Sequence, residues 1–554
     1  MITITETSWL CEINCALACE NADKIYEYLK KLGDYETRTF DVNSGGASST
    51  INTCQKIGDI ITLPKAKMAE AEKILTSNGE LITVVTQPYP EADFRAVCRS
   101  YPNPARVNDP QAMPERIRLE SLQMNTLIDV LHQGRNGAID YGMGGGKTVL
   151  IAAVLAAHPT LRPAIITSAA SGDSQQLASK MAIMTGEKVN LQGCTAGKLT
   201  TSQKKTLFVK KPKDATIICG SHALYSKFEK PATTADDVDL LKALETAQLV
   251  IIDEAHECCT IARITNLIRT NPKVCIAFTA TWQKNWSKID RLMADLLSTS
   301  RAPLGVVTHQ QVQETGRVTE VEVLGWKLDR EQWPIPPTRT RDWRGFNIMQ
   351  REVEFHPARN IFTAHLCNHL MKVAEVEGRG CILVFSPTIG HCMRVAKELC
   401  KIRGIAYNDS EMEFDSIFVF NASLTNAEKT KRMIAMSEGR TKLVFSTETL
   451  SRGIDMNTIF DVVDIAGGSK LVSLVQKAGR AVRPQGDTKL ARIHTIMEGE
   501  LKEYEGRDKY LLKKCGESKI KTLEANFGVT AQITYPNQIP WKGFATVNLW
   551  NSTK

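Results

Sequence analysis

The sequence predicts an α/β protein, two tandem domains with parallel sheets preceded by a small α+β N-terminal domain. From about residue 116 onward, apolar runs of strand length alternate with segments of helix length. Those runs are apolar almost throughout, as parallel strands covered on both faces must be. Between one such strand and an apolar helix lies a glycine-rich turn, Gly144-Gly145-Gly146-Lys147-Thr148.

The elements read in order as follows. Over residues 1–100, β-type runs at 8–13, 35–42, 59–63 and 81–86 alternate with helical runs at 22–31 and 65–75. This pattern predicts two similar strand-helix-strand units, an accessory module open to a nucleic-acid-binding role. The Gly/Ser-rich stretch 43–49 is expected to be mobile, and the Pro-rich stretch 101–115 reads as a linker. A first domain over 116–316 has candidate strands at 137–141, 164–168, 215–219, 249–253 and 274–279. A second over 317–510 has them at 380–386, 417–421, 442–446, 461–465 and 491–496. Residues 511–554 read as a C-terminal tail, with a short helix from about Lys519 and then a Pro- and aromatic-containing segment.

Composition permits this organisation. At about 150 residues per domain, a chain of 554 residues suggests three or four domains. Its 43% hydrophobic and 23% charged residues allow several cores. A net charge of +8 permits a polyanionic partner and equally fits a merely soluble surface. The 15 cysteines include no Cys-x-x-Cys pair, which predicts reduced thiols in a cytosolic compartment. Cys11, Cys15 and Cys19 recur every four residues, as on one helix face. With no histidine near them they read as buried small hydrophobes, not as metal ligands. The N-terminus lacks a basic region and signal core, and no apolar run approaches the roughly 20 residues of a membrane span, so a cytoplasmic protein without membrane partners is expected.

Chemistry concentrates in a few places. The apolar run Leu249-Val250-Ile251-Ile252 ends in Asp253-Glu254-Ala255-His256. A buried strand that delivers two carboxylates at its carboxyl end can set one on magnesium and the next on water, which points to ATP. Alone, this pattern fits an exposed acidic turn equally well; the upstream glycine loop decides between them. There the glycines let backbone N–H groups close around phosphate, Lys147 reaches the β- and γ-phosphates, and the Thr148 hydroxyl holds magnesium. Tyr141 stands where the strict loop pattern has its first glycine. In the second domain Gln476-Lys477-Ala478-Gly479-Arg480-Ala481-Val482-Arg483 sets two arginines on one helix face, suited to a γ-phosphate or, alternatively, simply solvated. Thr279-Ala280-Thr281 closes a strand, and Thr447 to Asp455, with Gly453-Ile454-Asp455, follows one; the latter offers an acid to a ribose.

Taken together, these residues resemble superfamily 2 helicases and translocases, whose core is two RecA-like domains of the P-loop NTPase type. The resemblance covers roughly residues 116–500 and finds the family's motifs in order. It implies that Gln123 reads adenine, although the usual arginine before it is Glu120 here. By the same likeness Gly144, Gly145, Gly146, Lys147 and Thr148 would cradle the phosphates. Asp253 would hold magnesium through water and Glu254 would activate the attacking water. His256 would couple hydrolysis to Thr279 and Thr281, while Arg480 and Arg483, beside Gln476, would be the arginine fingers. Residues 383–387 resemble motif IV, and Thr447, Gly453 and Asp455 belong to motif V. The strand-binding segment Thr167-Ser168-Ala169-Ala170 departs from the usual Pro-Thr pattern, and Ser221 stands where threonine is usual.

The Asp-Glu-Ala-His letters suggest DEAH-box RNA helicases, yet the neighbouring motifs differ from theirs. Those enzymes carry Gly-Glu-Thr-Gly-Ser-Gly-Lys-Thr and Ser-Ala-Thr, unlike residues 141–148 and 279–281. The layout is similar to that of UvsW-type recombination helicases of large tailed phages, with a small α+β module, a linker and then the core; residues 307–323 also resemble the junction between their core domains. That likeness implies an ATP- and magnesium-dependent motor on DNA, branched or single-stranded, active in recombination, repair and replication and located in the host cytoplasm if phage-encoded. RNA stays open as a partner, as does the oligomeric state. A viral translocase that releases transcripts or proteins, an RNA helicase, and a scaffold with a vestigial ATP site are the alternatives.

Overall fold

The computed structural model describes residues 1–6, 10–18, 20–38, 48–86, 88–104, 114–167, 171–192, 208–221, 234–255, 272–280, 282, 291–297, 302–328, 353–378, 380–386, 388–408, 416–420, 424–447, 459–467, 490–498 and 511–534. The chain divides into two compact units, residues 1–142 with 146–307, and 143–145 with 308–554.

The first unit begins with strands β1 (Ile2–Glu6), β2 (Leu10–Asn14), β3 (Asp34–Arg38), β4 (Ser48–Asn52), β5 (Gln55–Ile57), β6 (Ile60–Pro64) and β7 (Ile82–Thr86). Five of them make a mixed sheet in the order β5-β6-β2-β1-β7, with β1 antiparallel to β2 and parallel to β7. Period-two alternation turns Ile2, Ile4, Cys11, Ile13, Ile61 and Leu63 to one face, where they are fully buried. Helices Ala22–Leu29 and Met68–Ser77 cover that face with Ile25, Leu29, Ala71 and Leu75. The Asn21 side chain starts the first helix by accepting from the Lys24 N–H at 2.9 Å.

Three expectations change in this module. Strand β1, absent from the sequence reading, lies inside the sheet between β2 and β7. The strand read at 35–42 does not complete a strand-helix-strand unit; as β3 it lies outside the sheet and, among the described residues, pairs with β4 in a two-stranded ribbon. Cys11 lies on a strand and not on a helix face: β2 is hydrogen-bonded on both sides, and the four-residue spacing to Cys15 crosses the strand end. Both thiols are buried in the core, and burial pushes Cys11 up to about 12. Cys19 lies outside the described residues.

The Pro-rich linker is tied at its ends. Strands β8 (Ser100–Pro102) and β9 (Arg116–Arg118) pair antiparallel, and Asn103 N donates to Glu115 O at 3.0 Å. Beyond them lie β10 (Gly137–Tyr141), β11 (Pro163–Thr167), β12 (Val189–Gln192), β13 (Ile217–Ser221), β14 (Leu249–Ile252), β15 (Val274–Thr279) and β16 (Gly305–Val307). They form one all-parallel sheet in the order β12-β13-β11-β14-β15-β10-β16. Every residue of β14 and β15 is buried. Each fully buried Val, Ile or Leu side chain there stabilises by roughly 1.5–3 kcal/mol. Helix Lys147–Ala157, apolar all round, is buried between the sheet and its neighbours from Val149 to Leu155.

In the second unit a further parallel sheet contains β17 (Glu320–Leu328), β18 (Cys381–Phe385), β19 (Ile417–Phe420), β20 (Leu443–Ser446), β21 (Ile459–Asp464), β22 (Leu490–Glu498) and β23 (Gln532–Thr534). Its order is β19-β20-β18-β21-β22-β17-β23. Two tandem RecA-like sheets thus follow the N-terminal mixed sheet. Helices Pro357–Val376 and Ile389–Arg403 pack on each other and on the sheet through Phe362, Leu366, Leu370, Val395 and Leu399. A polar chain crosses this core: Trp326 Nε1 donates to His494 Nδ1 at 3.2 Å, leaving His494 Nε2 protonated toward Asp461 Oδ1 at 3.2 Å. The stretch read as a tail supplies a 17-residue helix, Leu511–Phe527, packed on β22, and β23 at the edge beside β17. No described helix is long and apolar enough to cross a membrane.

Candidate functional site

Parallel strands deliver their carboxyl ends to one edge of a sheet, and the neighbours β14, β15 and β10 bring Asp253, Thr279 and Asp140 to that edge. Asp140 and Thr279 are register partners across β10 and β15. The glycine loop leaves β10 directly. Gly144 and Gly146 take φ of 75° and 84°, a left-handed backbone that L side chains resist, so the loop turns back sharply before helix Lys147–Ala157. Gly146 is the N-cap of that helix and brings no side-chain cap. The helix therefore presents N–H groups and the positive end of its dipole to the loop, an arrangement suited to phosphate.

Lys147 Nζ lies 3.3 Å from Glu254 Oε1, with 15% and 27% of the two side chains exposed. Burial acts to lower the Lys147 pKa, but Glu254, Asp253 and Asp140 outweigh it and hold the value above that of an ordinary lysine. Asp140 is pushed up to about 6 by burial, against the opposing Trp282 N–H at 3.4 Å and the Lys147 charge. Sequence reasoning did not select Asp140 or Trp282. The signal was an acid closing an apolar strand immediately before a glycine loop.

Asp253 and Glu254 are set differently although adjacent. Asp253 N donates to Ile166 O at 2.7 Å, extending the ladder of β14 with β11, and Asp253 Oδ1 accepts from Glu254 N at 3.1 Å. Glu254 then turns off the strand at φ 53°, the one non-glycine residue with positive φ among the described residues. Such a conformation costs about 1–3 kcal/mol and persists where surrounding structure over-determines it, typically at functional sites. The turn directs Glu254 to Lys147.

Gln123 is fully buried beneath the loop. It is the third residue of helix Ser121–His132 and closes a capping box, accepting from Glu120 N at 3.0 Å while the Glu120 side chain caps the helix in return. Its Nε2 donates to Gly146 O at 3.5 Å, so the amide joins the start of this helix to the glycine loop. Glu120 has a local role at the position where the resemblance has arginine.

Among the remaining candidates, Gly145 is buried in the loop and Thr148 is half-buried in the first turn of the helix. Thr279 is fully buried at the end of β15, Ser221 ends β13 in register with Thr167, and Thr447 follows β20, its carbonyl accepting from Ser446 Oγ at 3.0 Å. Within motif IV, residues 383–385 lie on β18. His256, Thr281, Gly453, Asp455, Gln476, Arg480 and Arg483 lie outside the described residues.

Comparison with known families gives two matches in tandem. The DEAD/DEAH box helicase family matches residues 121–289, and the helicase conserved C-terminal domain matches residues 363–485. Solved structures of similar fold include that of T4 UvsW, 14% identical with a TM-score of 0.38, covering 96% of this chain and 99% of that one. S. cerevisiae Dbp5 bound to RNA and ADP BeF3 is 13% identical with a TM-score of 0.46, over 76% and 90% of the two chains. The type ISP restriction-modification enzyme LlaBIII bound to DNA is 11% identical with a TM-score of 0.50, over 93% and 41%. At such identities the likeness concerns the fold alone. Among curated proteins the chain has no match.

Proposed function

Because this chain belongs to the DEAD/DEAH-box helicases that carry the conserved helicase C-terminal domain, we propose that it is an ATP-driven motor on DNA that remodels branched intermediates. Its work would be migrating junctions, regressing forks, unwinding and annealing strands. The observation that carries the motor reading is the pairing of Lys147 with Glu254 across an open helix N-terminus. The reading of DNA as track rests on the motif letters around Gly144 and Thr279 and on the small α+β module ahead of the core.

The donor set fits a magnesium nucleotide: two positive-φ glycines open backbone N–H groups, Thr148 follows them in the first turn of the helix, and the Asp253 charge acts on Lys147. Magnesium held there would neutralise phosphate charge. Lys147 would move from Glu254 to the phosphates, which frees the Glu254 carboxylate to accept a proton from the attacking water. Asp253, fixed by its ladder bond, keeps its oxygens in place while Glu254 changes partner. Arg480 and Arg483 are proposed to stabilise the transferring phosphoryl group. Backbone contacts to one strand would make DNA binding sequence-tolerant and salt-sensitive.

The test compares ATP hydrolysis with single-stranded DNA, duplex, four-way junctions and RNA, beside strand displacement on forked DNA. Greatest stimulation by branched or single-stranded DNA supports the proposal. Stimulation by RNA alone moves the chain to RNA, and strand displacement that is absent beside active transcript release replaces unwinding with translocation.

A further inference from the structure

Strand β21 ends at Asp464, and the chain that follows leads toward Gln476, Arg480 and Arg483. Two buried cations from different helices hold the turn just after that strand. Lys519, from helix Leu511–Phe527, places Nζ 2.6 Å from Asp464 Oδ2 and donates to Ala466 O at 2.5 Å. Arg359, from helix Pro357–Val376, donates through Nη2 to Ile465 O at 3.2 Å. Ile465 N donates in turn to Phe385 O at 2.9 Å, the end of β18. Lys519, Asp464 and Arg359 are each 3% exposed or less, so these bonds form away from water, where an unpaired charge would be costly.

A core helix does not need a buried lysine for adhesion. Helix Leu511–Phe527 already buries Cys515, Ile520, Leu523 and Phe527, and a hydrophobic residue at 519 would pack at least as well as an ion pair. What the lysine adds is direction: an ammonium between a carboxylate and a carbonyl fixes the backbone at residue 466. We propose that Lys519 is a positioning residue for hydrolysis, holding the Asp464–Ala466 turn from which the sequence continues to Arg480 and Arg483. This rests on the proposed role of those arginines. Helix Leu511–Phe527 is then part of the motor.

The test uses the full chain with three variants, each read by nucleic-acid-stimulated kcat, KM for ATP, and melting temperature. Lys519→Met leaves Asp464 buried without its ammonium, so both melting temperature and kcat fall. Lys519→Met combined with Asp464→Asn removes both charges and restores the melting temperature. In that double variant kcat stays about ten- to a hundred-fold low with KM for ATP unchanged, because the grip on Ala466 is still missing. Arg480→Ala serves as reference and loses kcat. A double variant with wild-type kcat overturns the positioning role while Arg480→Ala still fails. If Arg480→Ala hydrolyses ATP normally, the arginine reading falls and the positioning role falls with it.

Discussion

Lys147 Nζ and Glu254 Oε1 stand 3.3 Å apart, so the residue proposed to bind phosphate and the residue proposed to activate water are partners of each other. The carboxylate raises the lysine pKa in a buried setting that alone would lower it. A γ-phosphate that draws Lys147 away exchanges one anion for another. The base then becomes available when the nucleotide is in place.

Glu254→Gln separates these roles. The amide keeps the size of the side chain but cannot take a proton, so stimulated ATP hydrolysis is expected to fall by about 10²–10⁴-fold. Nucleotide affinity should hold or improve, since Lys147 loses its competing carboxylate. Turnover within a few-fold of wild type would remove Glu254 from the role of base.

Gly146→Ala tests the loop. At φ 84° a Cβ carries an intrinsic penalty of about 1–2 kcal/mol, and the N–H groups that start helix Lys147–Ala157 would turn from their direction. Nucleotide binding should weaken about ten-fold or more, while the melting temperature drops by only a few degrees for a chain of this size. Isothermal titration with a non-hydrolysable ATP analogue measures it; unchanged affinity contradicts the cradle.

Lys65 gives a pH-dependent prediction. It is 2% exposed, donates to Asn136 O at 3.3 Å, and burial lowers its pKa to about 8 from 10.5, against Glu6 and Cys275, which raise it, and with Arg135, which lowers it further. A depressed lysine contributes its full stability above 10.5 and loses it as pH falls through 8, so near pH 7 the buried ammonium is a penalty of up to about 3 kcal/mol. Lys65→Met forfeits one hydrogen bond worth about 1 kcal/mol and should still raise the melting temperature near neutrality. The gain should shrink toward pH 10. A lower melting temperature at pH 7 would show that the bond to Asn136 outweighs burial.

Much of the architecture was legible because central parallel strands declare themselves. Gly137–Tyr141 and Val274–Thr279 lie where the apolar runs placed them, since both faces of these strands are covered and polar residues are excluded. Edge strands and strands of mixed polarity were less legible. Gly305–Val307, at a sheet edge, is three residues long with Val306 exposed, and Glu320–Leu328, paired on both sides, begins by alternating charged with apolar residues; Glu322 reaches Arg492 on β22 at 3.2 Å. The N-terminal module misled because Cys11 and Cys15 imitate a helical period across a strand end. At the site, Asp253, Glu254 and Lys147 were readable from their letters. The place of Asp140 and the bond of Gln123 to Gly146 O depend on which strands and helices become neighbours. Lys519 belongs to the same class: a lysine on an amphipathic helix reads as solvated until the fold sets Asp464 opposite it.

The central claim is that the glycine loop and the acidic strand end form one ATP-hydrolysing site driven by nucleic acid. It is tested most directly by the steady-state ATPase rate of wild type and Lys147→Ala, each with and without single-stranded and branched DNA. The account predicts a wild-type rate that rises several-fold with DNA, and a Lys147→Ala rate near background in every condition while DNA binding persists. Undiminished turnover in Lys147→Ala, or a wild-type rate indifferent to every nucleic acid, would contradict it.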